Sequence, residues 1–283
     1  MKNYLIVTKN ERELENPFTR ELQSYIEQKG GQVSVVARPH DTSDEVIDVP
    51  EGVEAIFTIG GDGTLVRIAQ TTVSSNVPLI GVNHGHLGYL CDLNEENIWS
   101  AVDRMFDEDF EIEERMMVDG YVEHANGKKS KIEHALNDVV ITINNSKSVI
   151  RLTVYINGEY LYSLSGDGMI IATPTGSTAY NLSANGPIVD PKTEAILMTP
   201  LNPHTLTSRS IVLDPNDEIA IEITPRRHSV TEEATILFDG SYPVLIKAGE
   251  RLVVKKSARK TKMIFMGQMN FLERMRNKMQ ENY

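Results

Sequence analysis

The sequence predicts an α/β domain with a doubly wound parallel sheet, followed by a β-rich, sandwich-like domain. Over about the first 110 residues, apolar runs alternate with segments of helical periodicity, an order typical of parallel sheets with crossover helices. From about residue 111 onward, short β-branched stretches follow one another with turn residues between them. This change of pattern places a domain boundary near residues 112–116.

The first part of the chain contains alternating strands and helices. Apolar runs predict strands at 4–8, 32–37, 53–59 and 78–82, and apolar stripes predict helices at 17–29, 62–70 and 94–107. Gly30 and Gly31 supply a stop signal for the first helix. We therefore predict an α/β domain over residues 1–114.

The second part, residues 115–255, is predicted to be β-rich. Strand-like stretches lie at 118–123, 131–143, 149–156, 169–172, 210–213, 218–224, 234–238, 243–247 and 251–254, and one segment, 178–198, could hold a helix. Asn157-Gly158 and Asp239-Gly240 are favoured hairpin turns. From Lys256 the chain is basic and rich in Met. We predict that this tail, 256–283, includes a terminal helix that packs on the first domain or on a neighbouring subunit.

Composition and charge narrow the function classes. The chain has 283 residues, of which 40% are hydrophobic and 24% charged, and its net charge is -12. Such an acidic chain is a poor candidate for broad binding to nucleic acid or anionic membranes, which needs clustered Lys and Arg. The single cysteine, Cys91, allows no intramolecular disulfide and fits a reducing compartment. Because the opening MKNYLIVTKN indicates a strand and not a signal peptide, we expect the protein in the cytoplasm.

The string GGDGT follows an apolar strand and precedes a helix. Glycines here let the backbone approach a phosphate, and the start of the helix offers free N–H groups to that phosphate. Gly60, Gly61, Gly63 and Thr64 are therefore candidate phosphate or ATP contacts. Asp62 could accept a proton from an attacking hydroxyl or help hold a metal. Alternatively, Asp62 only caps the helix.

A second segment, GDGMIIATPTGSTAY at 166–180, concentrates hydroxyls, a Pro-x-Gly bend and one aromatic ring. Hydroxyls and exposed backbone groups can bind the edge of a purine, and Tyr180 can stack on a base. The alternative is a Ser/Thr-rich surface loop with Tyr180 in the core. The density of Thr, Pro and Gly favours a binding loop.

Other candidate residues have competing structural explanations. Asn137-Asp138 could bind ribose hydroxyls or could cap a bulge or turn. Asp239-Gly240 is explained by a hairpin turn alone. Arg67 could neutralise a phosphate or be a solvated surface residue, and His204 lies in a loop where a structural role is the alternative.

Taken in order, the strings GGDGT, LND, DGMIIATPTGSTAYNLSANGPIVDP, MTPLNPHTLTSRSIVL and FDG resemble NAD kinases of bacterial type. The resemblance spans nearly the whole chain. TPTGSTAY is highly specific, whereas GGDGT is shared with diacylglycerol kinases, sphingosine kinases and, more loosely, 6-phosphofructokinases. The resemblance implies an α/β domain, a β-sandwich-like domain and a dinucleotide site in the crevice between them. It also implies Mg²⁺ or another divalent metal, ATP or another phosphoryl donor, NAD as acceptor, NADP as product, and a homodimer or homotetramer.

The resemblance also implies roles for single residues. Asp62 matches the general base for the 2′-hydroxyl of NAD. With Arg67 added as a phosphate contact, the predicted dinucleotide contacts are Asp62, Gly63, Arg67, Asn137, Asp138, Ser165, Asp167, Thr175, Thr178, Ala179, Tyr180, Asn181, Leu182, Ser183, Asn202 and His204.

Three positions depart from the family's usual pattern. Most relatives carry Glu where this chain has Asp138, which is shorter by one methylene. The family often has Gln where this chain has Ser241. Ser165 stands where some relatives carry an Arg that goes with strict preference for NAD over NADH, so its presence favours tolerance of both.

The predicted mechanism is in-line attack of the NAD 2′-hydroxyl on the γ-phosphorus of the donor, with Asp62 taking the proton. Two other functions use parts of the same pattern. A lipid kinase of the diacylglycerol type would share GGDGT but would need an apolar or membrane-facing surface, and no cationic amphipathic segment is apparent in the sequence. A non-catalytic dinucleotide sensor would keep TPTGSTAY without needing Asp62.

Overall fold

The computed structural model describes residues 1–38, 46–84, 88–143, 149–205, 208–225, 233–267 and 269–280. The strands are β1 (Asn3–Thr8), β2 (Gln32–Ala37), β3 (Ala55–Ile59), β4 (Leu79–Asn83), β5 (Leu93–Asn94), β6 (Glu111–Glu123), β7 (Glu133–Ala135), β8 (Asp138–Ile143), β9 (Ile150–Ile156), β10 (Glu159–Gly166), β11 (Gly168–Ala172), β12 (Ile196–Leu201), β13 (Ile211–Leu213), β14 (Ile219–Ile223), β15 (Glu233–Phe238), β16 (Ser241–Lys247) and β17 (Arg251–Phe265). The helices are α1 (Pro17–Gln28), α2 (Asp62–Thr72), α3 (Ile98–Phe106), α4 (Tyr180–Ser183) and α5 (Phe271–Gln280), with 3₁₀ turns at Glu11–Glu15 and Thr175–Thr178.

The chain divides into two compact units. The first comprises Met1–Arg115 with Lys260–Tyr283, and the second comprises Met116–Arg259. Strands β6 and β17 each contribute residues to both units. Among the described residues, no helix is both long and apolar enough to cross a membrane.

The first unit is built on a parallel sheet. Its strands lie in the order β4-β3-β1-β2, with β5 also parallel to β4, and Met263 of β17 pairs in parallel with Leu79. Strand β3 is buried along its whole length, as expected for a parallel strand covered on both faces. Helix α1 begins where the Asn16 side chain accepts the N–H of Phe18, and it buries Phe18, Leu22 and Ile26. This unit has the predicted α/β architecture.

The second unit contains a six-stranded antiparallel sheet in the order β13-β12-β11-β8-β15-β16. Val139 and Ile141 of β8 pack into one core cluster, and Val140 between them packs into another. Because neighbouring side chains point to opposite faces of a strand, this sheet is covered on both faces. Strands β9, β10 and β14 and the first part of β17 form further antiparallel pairs. The predicted fold class, α/β followed by β-rich, is confirmed.

Several element predictions were wrong in detail. The segment 178–198, which could hold a helix, does contain the short helix α4, but the strand β12 that begins at its end was not predicted. Residues 196–201 form a fully buried apolar run, which periodicity alone does not distinguish from a buried helix. Strand β10 was not predicted, and the strand expected to end at 254 continues to Phe265. The stretch 131–143 is two strands separated by Leu136 and Asn137.

Candidate functional site

The predicted site residues fall into two groups, one in each compact unit. In the first unit, β3 ends at Ile59 and α2 begins at Asp62. Gly60 has φ 151°, and a Cβ there would lie 2.5 Å from Oγ1 of Thr64, so only glycine fits this turn. Gly61 caps the helix without a side-chain hydrogen bond, and Gly61 and Gly63 are both exposed. The first N–H groups of α2 are therefore suited to bind an anion.

The Asp62 carboxylate lies against a neighbouring loop and does not cap its own helix. Oδ2 accepts the N–H of Tyr89 at 2.6 Å, and Oδ1 accepts those of Leu90 and Cys91 at 3.1 and 3.2 Å. A carboxylate offers about four lone-pair positions, so these three bonds orient the group and leave roughly one position for a further partner. The simple capping role considered for Asp62 is therefore not the one it adopts.

Gly88 makes this arrangement possible. A Cβ on Gly88 would lie 2.0 Å from Oδ1 of Asp62, far inside any van der Waals contact. The carboxylate can therefore approach the backbone of 89–91 only because residue 88 has no side chain.

Replacing Gly88 with Ala is expected to push the Asp62 carboxylate out of its bonds to the 89–91 backbone. Because a misplacement of about 1 Å can lower turnover roughly a hundredfold, we expect kcat to fall by about one to two decades. The KM values for both substrates and the thermal midpoint, measured on the same preparation, should change much less. Turnover equal to that of the parent protein would contradict the role given to Gly88.

Arg67 and Cys91 lie inside the first unit. The Arg67 side chain is buried on α2, where Nη1 donates to Oε1 of Gln70 at 3.4 Å, so the solvated surface position considered for it is wrong. Burial raises the pKa of the Cys91 thiol well above its ordinary value. A buried thiol that stays protonated is a poor nucleophile.

In the second unit, Thr173 attaches the loop of the TPTGSTAY string to the break between β7 and β8. Its Oγ1 donates to the carbonyl of Leu136 at 2.5 Å and accepts the N–H of Gly176 at 3.1 Å. Its own N–H donates to the carbonyl of Asn137 at 2.8 Å. A Cβ on Gly176 would lie 2.0 Å from that same carbonyl oxygen, so this position also requires glycine. The two predicted binding segments are thus held together.

Two polar atoms in these segments lack a partner among the described residues. Oδ1 of Asn137 and Oγ1 of Thr175 are both buried without a hydrogen bond. An unmade bond at a buried polar atom costs about 1–3 kcal/mol, so such atoms call for an explanation. A polar ligand bound between the segments would supply the missing bonds.

The residues that follow Thr175 divide into exposed and internal ones. Tyr180 is 48% exposed and Leu182 is 36% exposed, so the alternative of Tyr180 as core filling is wrong. Ser183 is also exposed, and Thr178 and Ala179 are half-buried.

The Asn181 side chain, by contrast, is fully buried. It donates to the carbonyls of Ser177 and Pro187 at 3.3 and 3.0 Å and accepts the hydroxyl of Thr199 at 2.7 Å. The Asn181 amide is therefore used inside the unit and shapes the loop, and a ligand contact of this residue stays a prediction.

Asp167, Ser165, Asn202 and His204 lie together where β10 and β12 end. Nδ2 of Asn202 donates to Oδ2 of Asp167 at 2.7 Å, and the N–H of His204 donates to the carbonyl of Ser165 at 2.8 Å. Asn202 and His204 are exposed, and Asp167 is half-buried. These four predicted residues therefore form one polar cluster on the second unit.

Asp239 has a larger role than the hairpin turn predicted for it. Its carboxylate accepts the N–H groups of Leu136, Asn137 and Asp138 at 2.8, 2.7 and 2.9 Å. Desolvation raises the pKa of Asp239 to about 6, although these three N–H groups act in the opposite direction. Asp138 is buried beside it, and burial together with the Asp239 charge raises the pKa of Asp138 to about 8.

Stability should therefore depend on the protonation of Asp138. The ordinary pKa of the group is 3.8, so the folded state binds this proton more tightly than the unfolded chain does. The resulting stabilisation is fully present below about pH 4 and is lost as the pH rises through about 8.

Asp138→Asn should flatten the fall in the free energy of unfolding between about pH 5 and pH 8, because it removes the titrating carboxyl. One titrating proton contributes at most about 1.4 kcal/mol per pH unit to that fall. Thermal midpoints measured across this range test the prediction. An unchanged pH dependence would show that Asp138 is not the group responsible.

No pattern in the sequence predicted the loop that holds Asp62 or the second role of Asp239. The N–H groups of Tyr89, Leu90 and Cys91 act through the backbone, and no residue type marks such a role. The one signal was the glycine content of the segment after β4, where Gly88 stands. The hairpin turn alone explained the presence of Asp239. Its second role, as acceptor for the backbone, is visible only in the hydrogen bond from Leu136, which lies 103 residues earlier in the chain.

Comparison with known proteins gives a consistent result over the whole chain. Residues 4–110 match the family ATP-NAD kinase N-terminal domain, and residues 136–266 match the family ATP-NAD kinase C-terminal domain. The chain is 41% identical to an NAD kinase of Agathobacter rectalis over 283 residues, covering 99% of each chain. It is 34% identical to an NAD kinase of Lachnoclostridium phytofermentans, covering 98% of this chain and 99% of the relative.

Solved structures share the fold. A yeast NADH kinase complexed with NADH aligns with a TM-score of 0.86 at 22% identity, covering 100% of this chain and 88% of that one. An NAD kinase from Archaeoglobus fulgidus in complex with ATP aligns with a TM-score of 0.76 at 22% identity, covering 99% and 98%. Together with the family matches and the full-length relatives, the glycine turn with its oriented carboxylate and the TPTGSTAY loop establish that the chain belongs to the NAD kinase family of phosphotransferases.

Proposed function

We propose that the protein transfers the γ-phosphoryl group of ATP to the adenosine 2′-hydroxyl of NAD, giving NADP. The observation that carries this proposal is the Asp62 carboxylate, which three backbone N–H groups orient beside the exposed glycines at the start of α2. That arrangement joins an anion-binding backbone to a proton acceptor, as transfer of a phosphoryl group to a hydroxyl requires.

The polar groups of the second unit suit a dinucleotide. Tyr180 presents an exposed ring on which a base can stack, and the unpaired Oδ1 of Asn137 and Oγ1 of Thr175 can bind polar edges. Asp167, oriented by Asn202, can accept a hydrogen bond from a ribose hydroxyl. Asp138 is expected to contribute as a neutral carboxyl that donates a hydrogen bond, because its pKa is raised to about 8.

Two groups of the first unit have separate tasks in the reaction: the start of α2 positions the donor, and Asp62 takes up the proton. The N–H groups of Gly61, Asp62 and Gly63 bind phosphate oxygens of the donor, and the helix dipole of α2 stabilises their charge. Asp62 accepts the proton of the 2′-hydroxyl as that oxygen attacks the γ-phosphorus in line with the leaving ADP oxygen. The bond from the γ-phosphorus to ADP breaks as the bond to the 2′-oxygen forms.

The described residues suit a divalent metal that arrives with the nucleotide. Among them, no three His, Cys, Asp or Glu side chains come together as a metal cage. Mg²⁺ usually keeps several waters and binds one or two carboxylates together with substrate phosphates, so a protein cage is not needed. Such an ion would be held mainly by the donor phosphates and by water and would neutralise charge on the donor, because the one free position of Asp62 is assigned to the 2′-hydroxyl proton.

Three finer properties are part of the same proposal. Ser165 in place of an Arg favours acceptance of NADH as well as NAD. A homodimer or homotetramer and a cytoplasmic location are proposed from the family resemblance and from the single reduced cysteine.

A product assay tests the proposal and separates it from the two alternatives. The protein is incubated with ATP, Mg²⁺ and NAD, NADH or diacylglycerol, and NADP, NADPH and phosphatidic acid are quantified. We expect NADP from NAD and NADPH from NADH, with no lipid product. Phosphatidic acid would favour a lipid kinase, and dinucleotide binding without any turnover would favour a sensor.

A further inference from the structure

Helix α5 places a buried arginine next to the loop that holds Asp62. Arg274 is 3% exposed, and its Nη2 makes an ion pair with Oδ1 of Asp92, which is 5% exposed. Its Nη1 donates to the carbonyl of Cys91 at 2.8 Å, and its Nε donates to the carbonyl of Met269 at 3.3 Å. One guanidinium thus joins α5 to two consecutive residues of the loop.

The Asp92 carboxylate extends this connection to the end of β17. Oδ2 of Asp92 accepts the N–H of Met266 at 2.6 Å, while Oδ1 binds Arg274. The ring of Phe265 lies 5.3 Å from the Arg274 guanidinium carbon, which adds a cation–π contact. The Cys91-Asp92 segment is therefore held by the end of β17 and by α5.

Cys91 links this network to Asp62. Its carbonyl accepts from Arg274 at 2.8 Å, and its N–H donates to Oδ1 of Asp62 at 3.2 Å. A displacement of the Cys91-Asp92 segment would therefore also move the N–H groups that orient Asp62.

The energetics of buried ion pairs indicate that the Arg274–Asp92 pair orients its neighbours more than it stabilises the fold. A buried ion pair often contributes no more stability than well-packed apolar residues of similar volume, because desolvation offsets the attraction. What the planar guanidinium provides that an apolar side chain lacks is directed bonds to several acceptors at once. Here those acceptors are the Asp92 carboxylate and the carbonyls of Cys91 and Met269.

We propose that Arg274, paired with Asp92, is a positioning residue that holds the 89–91 backbone in place so that Asp62 is oriented for proton transfer. This inference rests on the proposed function of Asp62 as the general base. Arg274 of helix α5 therefore acts on the catalytic step through the backbone of 89–91.

The main test is Arg274→Lys, which keeps a positive charge for Asp92 but cannot bind the Cys91 carbonyl with the same fork. We expect kcat to fall by about tenfold or more, because small misplacements of a catalytic group are costly, while KM for NAD and ATP changes by less than about twofold. Amide hydrogen exchange at Tyr89, Leu90 and Cys91 should become about tenfold faster or more, since this backbone opens more readily.

A second variant tests the same role without leaving an unpaired buried charge, which could prevent folding. The pair Asp92→Asn with Arg274→Gln removes both charges together, so no buried charge is left alone, and the same loss of kcat and faster exchange are expected. The matched control is Arg104→Ala. Arg104 donates to the carbonyl of Met266 at 2.7 Å and pairs with Asp109, so it also holds the end of β17, but these contacts do not reach the 91–92 segment. We expect its kcat to stay within about twofold of the parent value.

The outcomes separate this inference from the proposed function. Unchanged kcat and unchanged exchange in both Arg274 variants would overturn the positioning role. Faster exchange with unchanged kcat would overturn it as well, because the loop would then have no influence on turnover. Full activity of Asp62→Asn would instead reject Asp62 as the base, whatever the exchange rates show.

Discussion

Asp62→Asn is expected to lower kcat by about two to four decades, the usual range for the loss of a general base. The amide oxygen can still accept the N–H groups of Leu90 and Cys91, but the amide nitrogen cannot take a proton from the 2′-hydroxyl. KM for NAD should stay near the parent value, because most of the proposed dinucleotide contacts lie in the second unit. Steady-state formation of NADP measures both constants.

The matched control for this substitution is Asp107→Asn. It removes the same charge from an exposed residue at the C-terminal end of α3, within the same unit, and should leave kcat unchanged. Calorimetry on both variants shows whether the fold is retained. Turnover of Asp62→Asn within about tenfold of the parent would fall outside the range of general-base loss and would reject the assignment.

Asp239→Ala is expected to destabilise the second unit by roughly 3 kcal/mol or more, because it leaves three backbone N–H groups without their acceptor at about 1 kcal/mol or more each. The groups are those of Leu136 and Asn137, which form the break between β7 and β8, and of Asp138, the first residue of β8. For a unit of this size, that loss corresponds to a fall of roughly 6–12 °C in the thermal midpoint. Calorimetry measures the shift directly.

Two further variants show whether the loss of stability comes from the missing Asp239 carboxylate. Asp239 has φ 49°, which alanine tolerates poorly and Asn tolerates well, so Asp239→Asn keeps the backbone and one acceptor oxygen and should lose clearly less stability. Asp214→Ala removes an exposed Asp that also accepts a backbone N–H, and it should shift the midpoint by little. Equal shifts for Asp214→Ala and Asp239→Ala would contradict the role assigned to the Asp239 carboxylate.

The first prediction, on Asp62, shows where sequence patterns were sufficient. The apolar run before GGDGT and the helical pattern after it located the turn, and the structure has β3 ending at Ile59 and α2 beginning at Asp62. Hydrophobic periodicity and glycine chemistry are local, so neighbouring residues determine them. At Asn137-Asp138 the polar pair indicated a bulge or turn only as one alternative, and the structure has a break between β7 and β8 there.

Contacts between distant segments were not predictable in this way. Periodicity could not show that 196–201 is a strand, because its burial depends on the neighbouring strands β11 and β13. Likewise, Asn181 matched a binding loop in sequence, yet its amide bonds to Thr199, 18 residues later. Packing decides whether a polar side chain is free to bind a ligand, and packing depends on segments that are distant in the sequence.

The sequence by itself determined the fold class, the order of the two parts and the family, because these follow from apolar periodicity and from long motifs whose residues are contiguous. It also located Asp62 as the group at the start of α2. Only the tertiary structure decided how that carboxylate is held, by the N–H groups of 89–91, by the absent side chain of Gly88 and by a network that leads to Arg274 in the C-terminal helix. Those partners act through backbone atoms or over long chain separations, so no pattern of residue types records them.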